Sequence, residues 1–294
     1  MFQAEWKNLA VSELSQRESL RADLLRTLAE KVAHRKLVPF VGAGVSLSVL
    51  KKDGTQAFPT WPQLLQHGAL ALRKNGKSAE ADWVDYGLRV LQNPNAKGTD
   101  YIQLAGFINK NLPGGGWAAF LQKELDPNFD TIDDASLELP RQIWGLANQF
   151  VITTNFDRVL NWTSPRKENV RTLDLDDHAG LAAVLRDSIQ NPTVFPLHGS
   201  IDNPGKIILT SEKYDQLYRT QTTDSEQYAA ALLMLKSIFA AKSMLFIVFS
   251  FADQYIRQQL EWVASTFDGY SSEHFALVRR DERTRRRHCW RNCR

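Results

Sequence analysis

The stretch Leu37-Val38-Pro39-Phe40-Val41-Gly42-Ala43-Gly44-Val45-Ser46 carries five apolar residues straight into a glycine turn, and the class of fold follows from how that junction is read. Glycine has no Cβ, so the chain can turn sharply and bring backbone amides close to a bulky anion such as phosphate. The turn lacks the third glycine of the dinucleotide G-x-G-x-x-G fingerprint and the Lys-Ser/Thr ending of a P-loop. On its own residues it reads equally as a phosphate cradle or as a corner between strand and helix.

Upstream, Ser15-Gln16-Arg17-Glu18 has capping-box spacing, and Leu20, Leu24, Leu28 and Val32 recur at helical intervals. An N-terminal helical segment is expected over 1–35. Downstream, Lys51 to Pro62 reads as a loop closing on Pro59-Thr60-Trp61. Helical periodicity fills 63–149, as in Leu64, Leu65, Leu70 and Leu72 and again Ile102, Leu104, Phe107 and Ile108. It is interrupted by Asn93-Pro94 and by Pro113-Gly114-Gly115-Gly116, a loop with no strand before it, and the block reads as a helical insertion. Strand signals then return at Phe150 to Thr153, Thr193 to Leu197, Lys206 to Leu209, Met244 to Phe249 and Phe275 to Val278. Helical stretches at Gly180 to Ile189, Glu226 to Ala241 and Ala252 to Thr266 lie between several of them. Strands apolar throughout and alternating with helices predict an α/β fold, a parallel sheet covered on both faces, with its core in 36–62 and 150–280.

In such sheets ligands sit beyond the C-terminal strand ends. Three strands here open onto chemically useful residues: Gly42 to Ser46, then Thr154-Asn155-Phe156-Asp157, then His198-Gly199-Ser200. Singly, Asn155 or Asp157 reads as a helix cap and His198 as a turn residue. Together they would gather a glycine turn, an Asn/Asp pair and a histidine around one crevice.

Composition narrows the classes. At 294 residues and 43% hydrophobic content the chain can bury a sizeable core. Met1 to Ala10 holds no signal-like apolar run, and Met244 to Phe251 falls far short of the ~20 residues a membrane span needs. A cytoplasmic protein is expected. The two cysteines, Cys289 and Cys293, cannot supply a zinc site or disulfide framework for the body. The segment Arg279 to Arg294 contributes +6 to a formal charge of +3, so the remainder is about −3 and lacks a nucleic-acid footprint. The basic tail, 281–294, reads as a disordered end or the cut edge of a longer chain, with phosphate gripping the competing use. The eight tryptophans show no repeat and are assigned to packing. His34, His67, His178, His274 and His288 lack metal-ligand spacing, and Asp174 to His178 reads as a solvated turn, so no metal is expected.

The ordered set Gly42 to Ser46, Thr154-Asn155-Phe156-Asp157 and His198-Gly199 resembles the sirtuin family of NAD-consuming enzymes. With Pro59-Thr60-Trp61, Leu64-Leu65 and Leu209-Thr210-Ser211-Glu212-Lys213-Tyr214, the chain resembles more narrowly the bacterial sirtuin-like domains of antiphage defence, over roughly Leu37 to Val278. Two departures stand out. The zinc ribbon of classical deacetylases has no cysteines here, which weakens a deacylase reading. In the late strand, Val248-Phe249-Ser250-Phe251-Ala252-Asp253 places valine where the defence branch carries glycine.

The resemblance implies a Rossmann-like core that cleaves the nicotinamide N-glycosidic bond of NAD. Gly42, Ala43, Gly44 and Ser46 would meet the pyrophosphate and its ribose, with Asp157, Gly199, Ser250 and Asp253 completing the NAD-binding set. Asn155 would position the attacking water, and His198 would act as base. Hydrolysis to nicotinamide and ADP-ribose is favoured; deacylation, ADP-ribosyl transfer and a non-catalytic nucleotide-binding subunit remain alternatives. The resemblance further implies a homo-oligomer, or control by a partner such as a HerA-like ATPase or an Argonaute-type protein.

Overall fold

Apolar runs flanked by glycine or polar turns form the strands: β1 (Leu37–Val41), β2 (Phe150–Thr153), β4 (Thr193–Pro196) and β5 (Ser243–Ile247), each buried along its whole length. The short β3 (Arg171–Thr172) and β6 (Phe275–Leu277) finish a six-stranded sheet ordered β3-β4-β2-β1-β5-β6. Its registered pairs are parallel, with Val41 opposite Thr153 and Thr153 opposite Pro196. The computed structural model describes residues 19, 21–92, 98–147, 149–218, 228–251 and 253–277. The capping box at 15–18, Asn93-Pro94, both cysteines and the basic tail lie outside them.

A helix over residues 21–33 (α1) comes first. The helices that follow β1 are α2 (Ala43–Leu47), α3 (Trp61–Lys74), α4 (Ser78–Leu91), α5 (Gly98–Asn111), α6 (Gly116–Leu125) and α7 (Glu138–Ala147). Thr60 starts α3 with a reciprocal capping box, its hydroxyl facing the Gln63 amide while the Gln63 side chain takes the Thr60 N–H at 2.8 Å. Leu65, Leu72, Val84, Ile108 and Leu121 build a core among α3 to α6. The second half adds α8 (Val159–Trp162), α9 (His178–Leu185), α10 (Ser211–Tyr218), α11 (Ala229–Ala241) and α12 (Gln254–Thr266). Phe40, Ile152, Phe195 and Phe246 of the sheet pack with Leu181, Leu217, Leu235 and Ile256 of those helices in the largest core. Among the described residues no helix is long and apolar enough to cross a membrane.

Three sequence expectations are corrected. Lys206 to Leu209 is not a strand: Pro204–Lys206 is a 3-10 turn, and the next residues run irregularly between two cores. Ile207 and Leu209 face the core of α3 to α6 while Ile208 faces the sheet core, so the run is apolar on both sides without a ladder to join. Nor is Asp174 to His178 merely solvated. Lys206 Nζ bonds Asp176 at 2.9 Å and Asp174 at 3.3 Å, and Asp177 caps α9 by accepting the Gly180 N–H at 2.9 Å. Of the tryptophans assigned to packing, Trp83 and Trp262 are 49% and 48% exposed.

At the β5–β6 edge, His274 Nδ1 accepts the Met244 N–H at 3.2 Å, and the ring lies against Phe239 and Phe246. Burial lowers its pKa from 6.5 to about 4. With the folded pKa below the unfolded one, this contribution to stability is full above pH 6.5 and is lost as pH falls towards 4. The loss amounts to about 3 kcal/mol at most. His274→Asn keeps an acceptor for Met244 and cannot take up the proton, so it is expected to flatten the acid loss. Denaturant midpoints at neutral pH and at about pH 5 check this.

Candidate functional site

The four adjacent strands β4, β2, β1 and β5 end side by side, and neighbouring strands lie about 4.8 Å apart. The residues just beyond those ends are therefore brought to one edge of the sheet, and they form two hydrogen-bonded groups.

The first group joins β1 to β2. Leaving β2, the Asn155 N–H is taken by Thr153 Oγ1 at 3.0 Å, and Thr153 Oγ1 itself donates to the Val41 carbonyl at 3.1 Å. Asn155 Nδ2 then donates to the Gly42 carbonyl at 3.1 Å and to Ser46 Oγ at 2.7 Å. Ser46 Oγ donates its own hydrogen bond to Asp157 Oδ2 at 2.5 Å, and Asp157 Oδ1 accepts the Val159 N–H at 3.0 Å. Burial raises the Asp157 pKa; the Ser46 and Val159 donors pull it back. Reversing the Asn155 amide would set two oxygens face to face at Gly42, so the network fixes its orientation. One acceptor is left over: Asn155 Oδ1 is buried with no hydrogen-bond partner among the described residues. Leaving such an atom unpaired costs about 1–3 kcal/mol.

The second group surrounds His198, 2% exposed beyond β4. Its Nε2 lies 2.9 Å from the Tyr218 hydroxyl and 3.7 Å from the Asp253 carboxylate, and its Nδ1 lies 3.5 Å from the Tyr214 hydroxyl. Burial lowers the His198 pKa, partly offset by Asp253, so the ring is a neutral base at physiological pH. Burial, and then the Asp253 charge, push both tyrosines well above their usual range and keep them protonated. Tyr255 stacks on Tyr218 at 5.2 Å and closes the aromatic wall. Gly199 is required at its position: its φ is +85°, and a Cβ would meet the Lys206 carbonyl at 2.9 Å.

The structure thus joins Gly42, Ser46, Asn155 and Asp157 in one network, and His198 with Asp253 in the other. Ala43 is exposed at the start of α2, and Ser250 is exposed beyond β5. Asp253 also caps α12, accepting the Tyr255 and Ile256 N–H groups at 2.9 and 3.2 Å. Sequence reasoning did not single out Tyr218 or Tyr255. The spacing of Tyr214 and Tyr218 by one helical turn was a readable signal, whereas Tyr255 arrives from another helix. A separate cavity of about 750 Å³, lined by Lys51, Phe58, His67, Glu124 and Asn128 among others, contains none of these residues. His67 there bonds Glu124 at 2.6 Å. Among the described residues no group of three or more His, Cys, Asp or Glu is placed to hold a metal ion.

A family model described as the SIR2-like domain matches residues 149–294, from the start of β2 through the His198 and Asp253 region. Just under half of the chain is thus similar to the SIR2-like domain. Two curated relatives extend the similarity across most of the chain. NAD(+) hydrolase ThsA of Enterococcus faecium is 23% identical over 258 residues, 87% of this chain. NAD(+) hydrolase ThsA of Bacillus cereus (strain MSX-D12) is 24% identical over 264 residues, 88% of this chain. The match spans 46% of the length of each relative. The parallel α/β fold anticipated from the strand pattern is the fold observed.

Ser46→Ala deprives Asp157 of one of its two donors and Asn155 of an acceptor, at an expected cost of about 1–3 kcal/mol. Losing the donor raises the Asp157 pKa further. The part of the cost that comes from its charge is therefore present when the carboxylate is ionised and is lost as pH falls through its folded pKa, which burial holds above the unfolded 3.8. Thermal unfolding should show a larger loss at neutral pH than at about pH 4.

Proposed function

We propose that this chain hydrolyses NAD+ to nicotinamide and ADP-ribose. The observation that carries the reading is the unpartnered Asn155 Oδ1, a buried acceptor aimed by two bonds from its own Nδ2. It suits a substrate water, which would donate one proton to Oδ1 and direct a lone pair at the ribose C1′ as the nicotinamide bond breaks. NAD+ and water give nicotinamide, ADP-ribose and one proton, and neutral His198 on the adjacent strand end is the base suited to take it. The names of the two relatives and the SIR2-like match support the same chemistry.

The contacts refine the roles. Ser46 has its hydroxyl committed to Asn155 and Asp157, so its part is to hold those two. The Gly42 amide, expected to meet the pyrophosphate, instead donates to the Ile247 carbonyl at 3.0 Å, so the amides of Ala43 and Gly44 serve the phosphates. Asp157, kept partly buried, serves the carboxamide or a ribose hydroxyl. Gly199 and Ser250 line the nucleotide's path. Asp253 serves chiefly as the charge that faces His198. We further propose the cellular setting that the family resemblance implies: an effector that depletes NAD in antiphage defence, held off by assembly of copies or by a partner chain.

Incubation with NAD+, with nicotinamide and ADP-ribose measured and binding followed by calorimetry, tests the reading. His198→Ala and Asn155→Ala, confirmed folded by their melting curves, should each lose about 10²–10⁴-fold in turnover. Undiminished turnover in both overturns the site. Product formation that requires an acylated or acceptor peptide overturns hydrolysis, and neither binding nor turnover of NAD+ overturns the function.

A further inference from the structure

The strand order β3-β4-β2-β1-β5-β6 reverses direction between β1 and β5. The chain leaves β1 for β2 on one side, and later arrives at β5 on the other and continues to β6. Ligands of open parallel sheets enter the crevice at such a reversal. Here that crevice is filled by the protein itself. A Cβ on Gly44 would stand 2.0 Å from Val248 Cγ1, and one on Gly42 would stand 2.6 Å from the Val248 carbonyl and the Phe249 Cα. The small size of both glycines is thus used to admit the loop that leaves β5.

Val248 is held in an unusual way. Its φ is +47°, in the left-handed region where a β-branched side chain is a steric outlier. Phe251, three residues on, is also left-handed at +55°. Such conformations persist only where the surroundings over-determine them. The surroundings are visible: Phe249 is buried against Phe40 and Phe246, with ring centres 5.1 and 5.7 Å away, and Phe251 packs on Phe249 at 4.9 Å. Phe249 anchors the loop from inside, while Val248, 40% exposed, rests on Gly44 from outside.

We propose that Val248 is a gate on the glycine turn: the segment Val248 to Phe251 closes the β1–β5 crevice in this state, and a phosphate reaches the Ala43 and Gly44 amides only after Val248 swings off Gly44, the Gly42 amide being held by the Ile247 carbonyl at 3.0 Å. The identity of the phosphate compound as NAD or ADP-ribose rests on the function proposed above. Opening releases a strained valine, so the closed loop is poised. The contact with Gly44 and the packing of its phenylalanine neighbours help to hold it shut. A ligand that binds only the open form shows an affinity reduced by the open fraction.

The test compares wild type, Val248→Gly and Val248→Ile in the full chain, with ADP-ribose as the calorimetric probe because it is not turned over. Glycine accepts the left-handed φ freely and removes both covering methyl groups, so Val248→Gly should fold at least as stably as wild type. It is expected to bind ADP-ribose about tenfold or more tightly, with Val248→Ile no tighter than wild type. Hydrogen exchange without ligand is the second measurement: Val248→Gly should speed exchange in peptides covering Gly42 to Ser46 and Val248 to Phe251. Binding by wild type with no gain in Val248→Gly overturns the gate and leaves the NAD reading intact. If no variant binds ADP-ribose or NAD, the NAD reading falls, and the exchange comparison decides the gate alone: unchanged exchange overturns it.

Discussion

The chain of hydrogen bonds that runs from the Gly42 carbonyl through Asn155 and Ser46 to Asp157 is the constraint on which the site depends. It crosses between the ends of two adjacent strands, so neither the glycine turn nor the start of α8 can shift without breaking it. Every donor in it is used, and the geometry that uses them leaves one buried oxygen over. A fully satisfied network would simply brace the sheet edge; one with a single unmet acceptor at a strand end is built to meet something brought from outside. The function proposed here grows from that asymmetry.

The second constraint is the exchange of space at the β1–β5 reversal. Gly42 and Gly44 allow the backbone of another strand to come within side-chain distance, which is the service glycines give a bound nucleotide. In this state the service goes to Val248 and Phe249. The two glycines are therefore needed for the closed loop as much as for a ligand, and the choice between corner and cradle is not exclusive. The same contact can report on the site's state, with the loop and the phosphates competing for one surface.

Much of the fold was legible because parallel strands buried on both faces must be apolar throughout, and β1, β2, β4 and β5 are. The gathering of Asn155, Asp157 and His198 at one sheet edge was legible for a related reason: adjacent parallel strands bring the residues directly after them side by side. Ile207 to Leu209 misled because a segment wedged between two cores looks like a strand to any pattern of hydrophobicity. Arg171–Thr172 was missed because a two-residue edge strand has no pattern to show. The tyrosine wall around His198 could not be read, since Tyr218 and Tyr255 lie on helices far apart in sequence and meet only through packing. The valine at 248 was visible as a letter, but its left-handed φ and its seat on Gly44 were not.

A crystal structure of the protein with ADP-ribose would decide whether the ends of β4, β2, β1 and β5 form one nucleotide site. The diphosphate is expected on the amides of Ala43 and Gly44, the terminal ribose between Asn155 and His198, and Val248 displaced from Gly44. ADP-ribose lodged instead in the cavity beside Lys51, His67 and Glu124, with Asn155 Oδ1 still unpartnered, would contradict it.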